Sequence, residues 1–99
     1  MPEPLLTVVA EMTAQAGKED SLREALMACV ELTRREAGCV EYFLHESTET
    51  AGHFVFYENW VSAAALAKHM ETPHLVKLRS QVPDLVEGAP RILTFNRIA

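Results

Sequence analysis

The segment FVFYENW, residues 54–60, has the alternation of a β-strand, in which successive side chains point to opposite faces. One face carries three aromatic rings and one acid, Phe54, Phe56, Glu58 and Trp60. The other face carries Val55, Tyr57 and Asn59. An ionisable group on an apolar face is costly to bury unless it is paired, hydrogen-bonded or held neutral. Glu58 is therefore the first candidate for a functional role, and His69 is its candidate partner.

Length and composition predict one globular domain. The chain has 99 residues, 48% of them hydrophobic, and a formal net charge of −5. No apolar run approaches the roughly 20 residues of a transmembrane helix, and the N-terminal MPEPLLTVV does not resemble a leader, so we expect a cytoplasmic protein. The acidic charge and the lack of a Lys/Arg cluster argue against nucleic acid or membrane as a partner. Cys29 and Cys39 are expected to be buried thiols.

The first third of the chain predicts a strand and a helix. Leu5–Met12 alternates as a strand does. Apolar and small residues then recur at helical spacing, at Leu22, Leu26, Cys29, Val30 and Thr33. This helix begins either at a capping box of Ser21 and Glu24 or earlier, with Lys18–Asp20 as its first turn, and it ends near Glu36.

A β-hairpin is predicted in the middle of the chain. Gly38 stops the helix, and Cys39–Glu46 then alternates as a strand. The polar turn Ser47–Gly52 joins this strand to residues 54–60, so the two strands should pair antiparallel.

Two helices are predicted after the hairpin. Ser62 is a good N-cap for a helix over residues 62–71, in which His69 lies beside apolar neighbours. Thr72 and Pro73 have the pattern of an N-cap followed by a proline at the first helical position. They predict a second, short helix, which Pro83 ends.

A last strand, Pro90–Ile98, completes the order β-α-β-β-α-α-β. This order predicts an α+β protein with the split β-α-β pattern of the ferredoxin-like fold, an antiparallel sheet with helices on one face. The uncovered face, which would carry Val55 and Tyr57, then needs a partner. We expect a homodimer that packs sheet on sheet.

Three motifs resemble the antibiotic biosynthesis monooxygenase family of small dimeric proteins: EAGCVEY at 36–42, FYENW at 56–60 and ALAKHMETPH at 65–74. The resemblance spans nearly the whole chain and implies one such domain over residues 1–99, assembled as a dimeric α/β barrel. Similar proteins include cofactor-independent quinol and polyketide monooxygenases and an isomerase of a phosphorylated quorum-sensing sugar derivative. More distant relatives degrade haem, but His69 stands where their pocket tryptophan would be, which argues against haem.

The resemblance implies oxygenation without a cofactor. In such enzymes a quinol or phenolic substrate is deprotonated, and its anion reduces molecular oxygen inside a dry pocket. The sequence agrees, because its scattered glycines form no GxGxxG cradle and no clustered ligands indicate a metal site. Glu58 and His69 are the candidate catalytic acid/base pair. Burial and mutual pairing shift their pKa values in opposite directions, so their protonation stays open.

Five further residues are candidates for substrate binding, Tyr42, Phe56, Trp60, His74 and Arg79. The aromatic residues would form walls or a stacking surface for a ring, and Arg79 would hold an anionic group. Structural interpretations compete with these roles. Glu58 and His69 would form a buried structural pair, Trp60 would be core, His74 would cap a helical turn and Arg79 would be solvated.

Three functions from different classes follow. The leading hypothesis is a cofactor-independent monooxygenase acting on a quinol or polycyclic phenol with molecular oxygen. The second is an isomerase in which Glu58 and His69 move protons on a small oxygenated substrate, and a phosphorylated substrate would need Arg79, Arg91 or Arg97 as an anchor. The third is a non-catalytic dimer that binds a small aromatic molecule.

Overall fold

The computed structural model describes residues 5–99, so Met1–Pro4, part of the stretch searched for a leader, lie outside it. The elements, in chain order, are β1 (Leu6–Thr13), α1 (Glu19–Arg34), β2 (Cys39–Glu46), β3 (His53–Trp60), α2 (Ala63–Met70), α3 (Pro73–Leu85) and β4 (Arg91–Asn96). These bounds lie within about two residues of the predicted ones, except at the end of α3. None of the helices formed by residues 5–99 combines the length and apolar content needed to cross a bilayer.

The strands form one antiparallel sheet in the order β2-β3-β1-β4. This order confirms the predicted α+β class and ferredoxin-like topology. In the register, Glu58 of β3 stands between Val8 of β1 and Tyr42 of β2. All three side chains are buried on the face that the helices cover.

The alternation of β3 is confirmed on its inner face, where Phe54, Phe56, Glu58 and Trp60 are each at most 4% exposed. On its outer face Asn59 is fully buried, and its polar atoms are satisfied there. Its side chain accepts a hydrogen bond from Thr7 Oγ1 at 2.6 Å and donates one to Glu41 Oε1 at 2.8 Å. The strands β1, β2 and β3 are therefore joined by a polar bridge on the uncovered side.

Helix α1 starts at the earlier of the two predicted positions. Its N-cap is Lys18, which makes no side-chain capping bond, and Ser21 lies inside the first turns. Glu19 and Asp20 in the first turn instead place negative charge near the positive end of the helix dipole. The capping box of Ser21 and Glu24 is therefore not used.

The prediction that Pro83 ends the last helix is wrong, because α3 continues to Leu85 and is 13 residues long. Proline interrupts a helix by removing one N–H donor and crowding the preceding turn. Here hydrogen bonds from Gln15, a residue outside the helix, stabilise its C-terminal end. The side-chain amide of Gln15 donates to the carbonyls of Pro83 at 2.9 Å and Val86 at 3.2 Å, and its backbone N–H donates to Leu85.

The helices leave β4 uncovered, and all of its residues are exposed. Ile92, which shares the inner face with Ala10, is 54% exposed. The outer face carries a row of large apolar side chains that are partly open to solvent, Phe43, Tyr57, Leu93 and Phe95. The inner face at β4 and the outer face across the sheet therefore present apolar surface that the chain itself does not cover.

Candidate active site

A cavity of about 500 Å³ lies between the inner face of the sheet and the helices α2 and α3. Its walls are mostly apolar and include Val8, Ala10, Met12, Leu75, Leu78 and Val82. The ionisable side chains among its lining residues are Tyr42, Glu58, His69 and Arg79. Ile92 and Pro90 border it at the exposed edge strand, so the cavity opens toward β4.

Glu58 is the buried acid of this cavity and is 4% exposed. Its Oε1 accepts a hydrogen bond of 2.9 Å from the indole Nε1–H of Trp60, two residues along on the same face of β3. Burial raises the pKa of Glu58 to about 7, although the indole donor opposes this shift; the charge of Glu36 adds to it. Near neutral pH this carboxyl group is thus able both to accept and to release a proton.

His69 lines the cavity but does not pair with Glu58 as predicted. Its Nδ1 lies 2.8 Å from Oε2 of Glu36, in the connection between α1 and β2. The prediction failed because Glu58 is satisfied within its own strand by Trp60, while the end of α2 lies beside the end of α1. Burial lowers the pKa of His69, against the opposing effect of Glu36. A neutral imidazole that donates Nδ1–H to this carboxylate leaves the lone pair on Nε2.

His74 joins the same carboxylate, although sequence spacing did not pair it with His69. Its Nε2 lies 2.9 Å from Glu36 Oε2 and 3.2 Å from Thr72 Oγ1. The Thr72 hydroxyl donates its proton to the His69 carbonyl at 2.7 Å, so it accepts from His74. His74 does not line the cavity, and the structure therefore gives no support to the predicted substrate contact.

Glu36 is the residue of this cluster that the sequence did not single out, although it opens the motif EAGCVEY. The position of Glu36 just after the first helix could have marked it as a residue in need of a partner. An acidic residue directly after the C-terminus of a helix faces the negative end of the helix dipole, and its cost has to be offset by another contact. Here the two imidazoles provide that contact.

The loop that carries Glu36 packs closely on α2. Gly38 lies so near this helix that a methyl group at its position would overlap Cβ of Ala65. The close approach brings the end of α1 and the end of α2 together, which is what the contact between Glu36 and His69 requires.

Trp60 is fully buried and stands behind the cavity wall, not in it. Its ring centroid lies 4.5 Å from that of His69 and 6.5 Å from that of Tyr42. The predicted role as a substrate wall is therefore replaced by packing and by the hydrogen bond to Glu58.

Tyr42, Phe56 and Arg79 line the cavity, as their predicted roles require. The rings of Tyr42 and Phe56 are 4.6 Å apart between centroids, and burial raises the pKa of Tyr42, so its hydroxyl keeps its proton. Arg79 is exposed and donates from Nη1 to the carbonyl of Met70 at 2.6 Å. Its guanidinium is therefore placed at the solvent side of the cavity.

Comparison with known proteins agrees with this architecture. Residues 5–81 match the family model described as antibiotic biosynthesis monooxygenase. The chain belongs to this family. Rv0793 of Mycobacterium tuberculosis, a relative described provisionally as a monooxygenase, is 35% identical over 81 residues, covering 82% of this chain and 79% of the relative.

Solved structures of family relatives have the same fold. PA3566 from Pseudomonas aeruginosa superposes with a TM-score of 0.95 at 31% identity, over 100% of this chain and 99% of that one. The structure of Rv0793 has a TM-score of 0.91 at 29% identity and covers 96% of each chain. The family implied by the three sequence motifs and the ferredoxin-like fold of the single chain are thus confirmed.

Proposed function

We propose that this family member is a cofactor-independent monooxygenase that oxidises a quinol or polycyclic phenol with molecular oxygen. The observation that carries the proposal is the cavity itself, which combines apolar walls with one carboxyl group of pKa about 7 and one histidine. Its volume of about 500 Å³ lies within the range of pockets for small ligands.

The reaction needs no external reductant. A substrate carbon R₂CH₂, either next to a phenolic ring or in the ring of a quinol in its keto form, loses a proton, and the resulting anion passes one electron to O₂. The two radicals join as a hydroperoxide, R₂CH–OO⁻, which takes up a proton and loses water to give R₂C=O. The sum, R₂CH₂ + O₂ → R₂C=O + H₂O, takes all four electrons from the substrate.

The described residues supply what this reaction asks of a protein. Glu58 takes the proton from the substrate and returns it to the peroxide oxygen, a task suited to a pKa near the working pH. His69 accepts the phenolic O–H at Nε2, and Glu36 holds its other nitrogen. Tyr42 and Phe56 form walls that keep water from the anion.

Oxygen uptake with a panel of naphthohydroquinones and anthrones tests this proposal. We expect enzyme-dependent consumption of one O₂ per substrate, one ¹⁸O atom in the product from ¹⁸O₂, and no loss of activity in EDTA. Boiled enzyme corrects for spontaneous autoxidation. Uptake that never exceeds this control, or uptake that releases hydrogen peroxide without labelling the product, would refute the monooxygenase assignment.

The cavity does not favour the isomerase of a phosphorylated sugar. Of the three arginines considered as anchors, Arg79 lines the cavity, whereas Arg91 and Arg97 lie exposed outside its lining. A doubly charged phosphate and a polyhydroxy chain would both be poorly solvated against these walls. An apolar ring system matches the lining better.

We further propose that the active form is a homodimer. Phe95 and Phe43 on the outer face of the sheet are 50% and 44% exposed, and such apolar rows mark interfaces. Light scattering at micromolar concentration is expected to give about twice the 11.0 kDa chain mass. Phe95→Glu should shift the mass to that of one chain, whereas Val76→Glu, on an equally exposed apolar residue of α3, should not. A wild-type monomer would contradict the proposal.

A further inference from the structure

We propose that Glu36, His69 and His74 form a binding site for one divalent transition-metal ion such as Zn²⁺ or Co²⁺. The proposal goes beyond the oxygenation reaction, and neither the family match nor the predicted function requires it. It revises the expectation from the sequence that no clustered ligands form a metal site, because the fold brings His69 and His74 to the carboxylate of Glu36.

The donor atoms come from three separate segments and meet at one place. His69 Nδ1, His74 Nε2 and a carboxylate oxygen of Glu36 all lie within 4.8 Å of one another. Both imidazole nitrogens point at the same oxygen, Oε2, at 2.8 Å and 2.9 Å. Zn²⁺ bonds of about 2.0–2.2 Å place two ligands of a tetrahedral ion about 3.3–3.6 Å apart, so the N···O contacts of 2.8 Å and 2.9 Å would have to lengthen by roughly 0.5 Å.

The cluster is shielded from water and carries the charge that a divalent ion needs. The side chains of Glu36, His69 and His74 are 15%, 3% and 14% exposed. Within residues 5–99 both ion-pair partners of Glu36 are these histidines, so no lysine or arginine already neutralises it there. Two imidazoles and one carboxylate suit Zn²⁺ and other borderline metals more than Mg²⁺ or Ca²⁺.

The surrounding structure holds the ligands in place. Thr72 caps α3 by accepting from the backbone N–H of Leu75, and its hydroxyl also donates to the His69 carbonyl. This residue therefore ties the end of α2 to the first turn of α3, and fixes the two histidines relative to each other. On binding, the proton on each ligating nitrogen moves to the other ring nitrogen, so neither imidazole changes its charge. For His69 this places the proton on Nε2, so the metal-bound chain is expected to lose the phenol acceptor proposed above.

Metal binding can be measured without any assay of oxygenation. The untagged, EDTA-treated full chain is titrated with Zn²⁺ by calorimetry and with Co²⁺ by visible absorption. We expect one ion per chain, a d–d band of Co²⁺ and a higher melting temperature with Zn²⁺. His74→Ala should weaken binding at least tenfold. His53→Ala is the matched control, because His53 also contacts a carboxylate, Glu11 at 3.1 Å, but has no second histidine there.

Two results would overturn the proposal. One is the absence of saturable binding of Zn²⁺ or Co²⁺ at one equivalent, which would mean that only hydrogen bonds join the three side chains. The other is a His74→Ala chain that stays folded by circular dichroism and binds Zn²⁺ as tightly as the wild type. If His74→Ala does not fold, His74→Asn and Glu36→Gln serve in its place, and retained binding in both variants has the same meaning.

Discussion

Glu58→Gln is expected to lower turnover by about 10²-fold or more, the usual scale for a lost general base. The replacement keeps the shape of the side chain and an oxygen that accepts the Trp60 indole hydrogen bond of 2.9 Å. It removes the group that exchanges a proton near neutral pH. The measurement is the rate of oxygen uptake at saturating substrate.

The same variant should be more stable than the wild type in alkaline solution. Burial raises the folded-state pKa of Glu58 from 4.5 to about 7. The contribution of the Glu58 carboxyl to the free energy of unfolding is therefore fully present below pH 4.5. It declines as the pH rises toward 7, because over this range the carboxyl ionises in the unfolded chain but not in the folded one. Above pH 7 the free energy of unfolding is lower than at pH 4.5 by about 3 kcal/mol at most. The glutamine cannot ionise, so melting temperatures should match at pH 4.5 and differ by several degrees at pH 8.

Glu41→Gln is the control for both measurements. Glu41 lies on the opposite face of the sheet, outside the cavity lining, and accepts a hydrogen bond from Asn59. The Glu41→Gln substitution should leave turnover unchanged. A Glu58→Gln protein that turns over at the wild-type rate, but melts lower at both pH values, would show that Glu58 has only a structural role.

His69→Asn is expected to reduce turnover by about 10² or more, because His69 lines the cavity and the change removes its proposed phenol acceptor, Nε2. Glu36→Gln should have an effect of similar size without touching the substrate. The amide N–H of glutamine would donate to Nδ1 of His69, and a neutral ring would then carry its proton on Nε2, where the acceptor is needed. Glu36 is thus a positioning residue.

A double-mutant cycle separates positioning from general damage. If Glu36 acts through His69, the double variant should be no slower than the slower single variant. His45→Asn, at an exposed histidine of β2, gives the baseline for loss of an imidazole elsewhere. Losses that multiply in the double variant would contradict the link between the two residues.

The parts of the fold that were predicted correctly depend on local periodicity. The alternation in residues 54–60 gave the buried face that includes Phe56 and Glu58, and the Thr72–Pro73 pair gave the start of α3. Such signals arise from contacts between near neighbours along the chain. The end of α3 was misjudged at Pro83, because the stabilising contact comes from Gln15, 68 residues away.

The partners within the site could not be predicted for the same reason. Glu36 and His69 are 33 residues apart, and Glu36 and His74 are 38 apart. The sequence placed the ionisable residues on the correct face. A buried ionisable group needs a hydrogen-bond partner, but the sequence does not show which residue that partner is. Glu58 bonds to Trp60, two residues along its own strand, and His69 therefore bonds to Glu36 instead.

Gly38 shows how far the site depends on positions that no ligand reaches. Any larger residue there would press on Ala65 and lift α2 from the loop that carries Glu36. His69 lies four residues beyond Ala65 on that helix, so the displacement would reach the imidazole. In a saturation mutagenesis library selected for activity, position 38 would tolerate almost nothing but glycine. Mutational tolerance alone would therefore rank this backbone position with the catalytic residues.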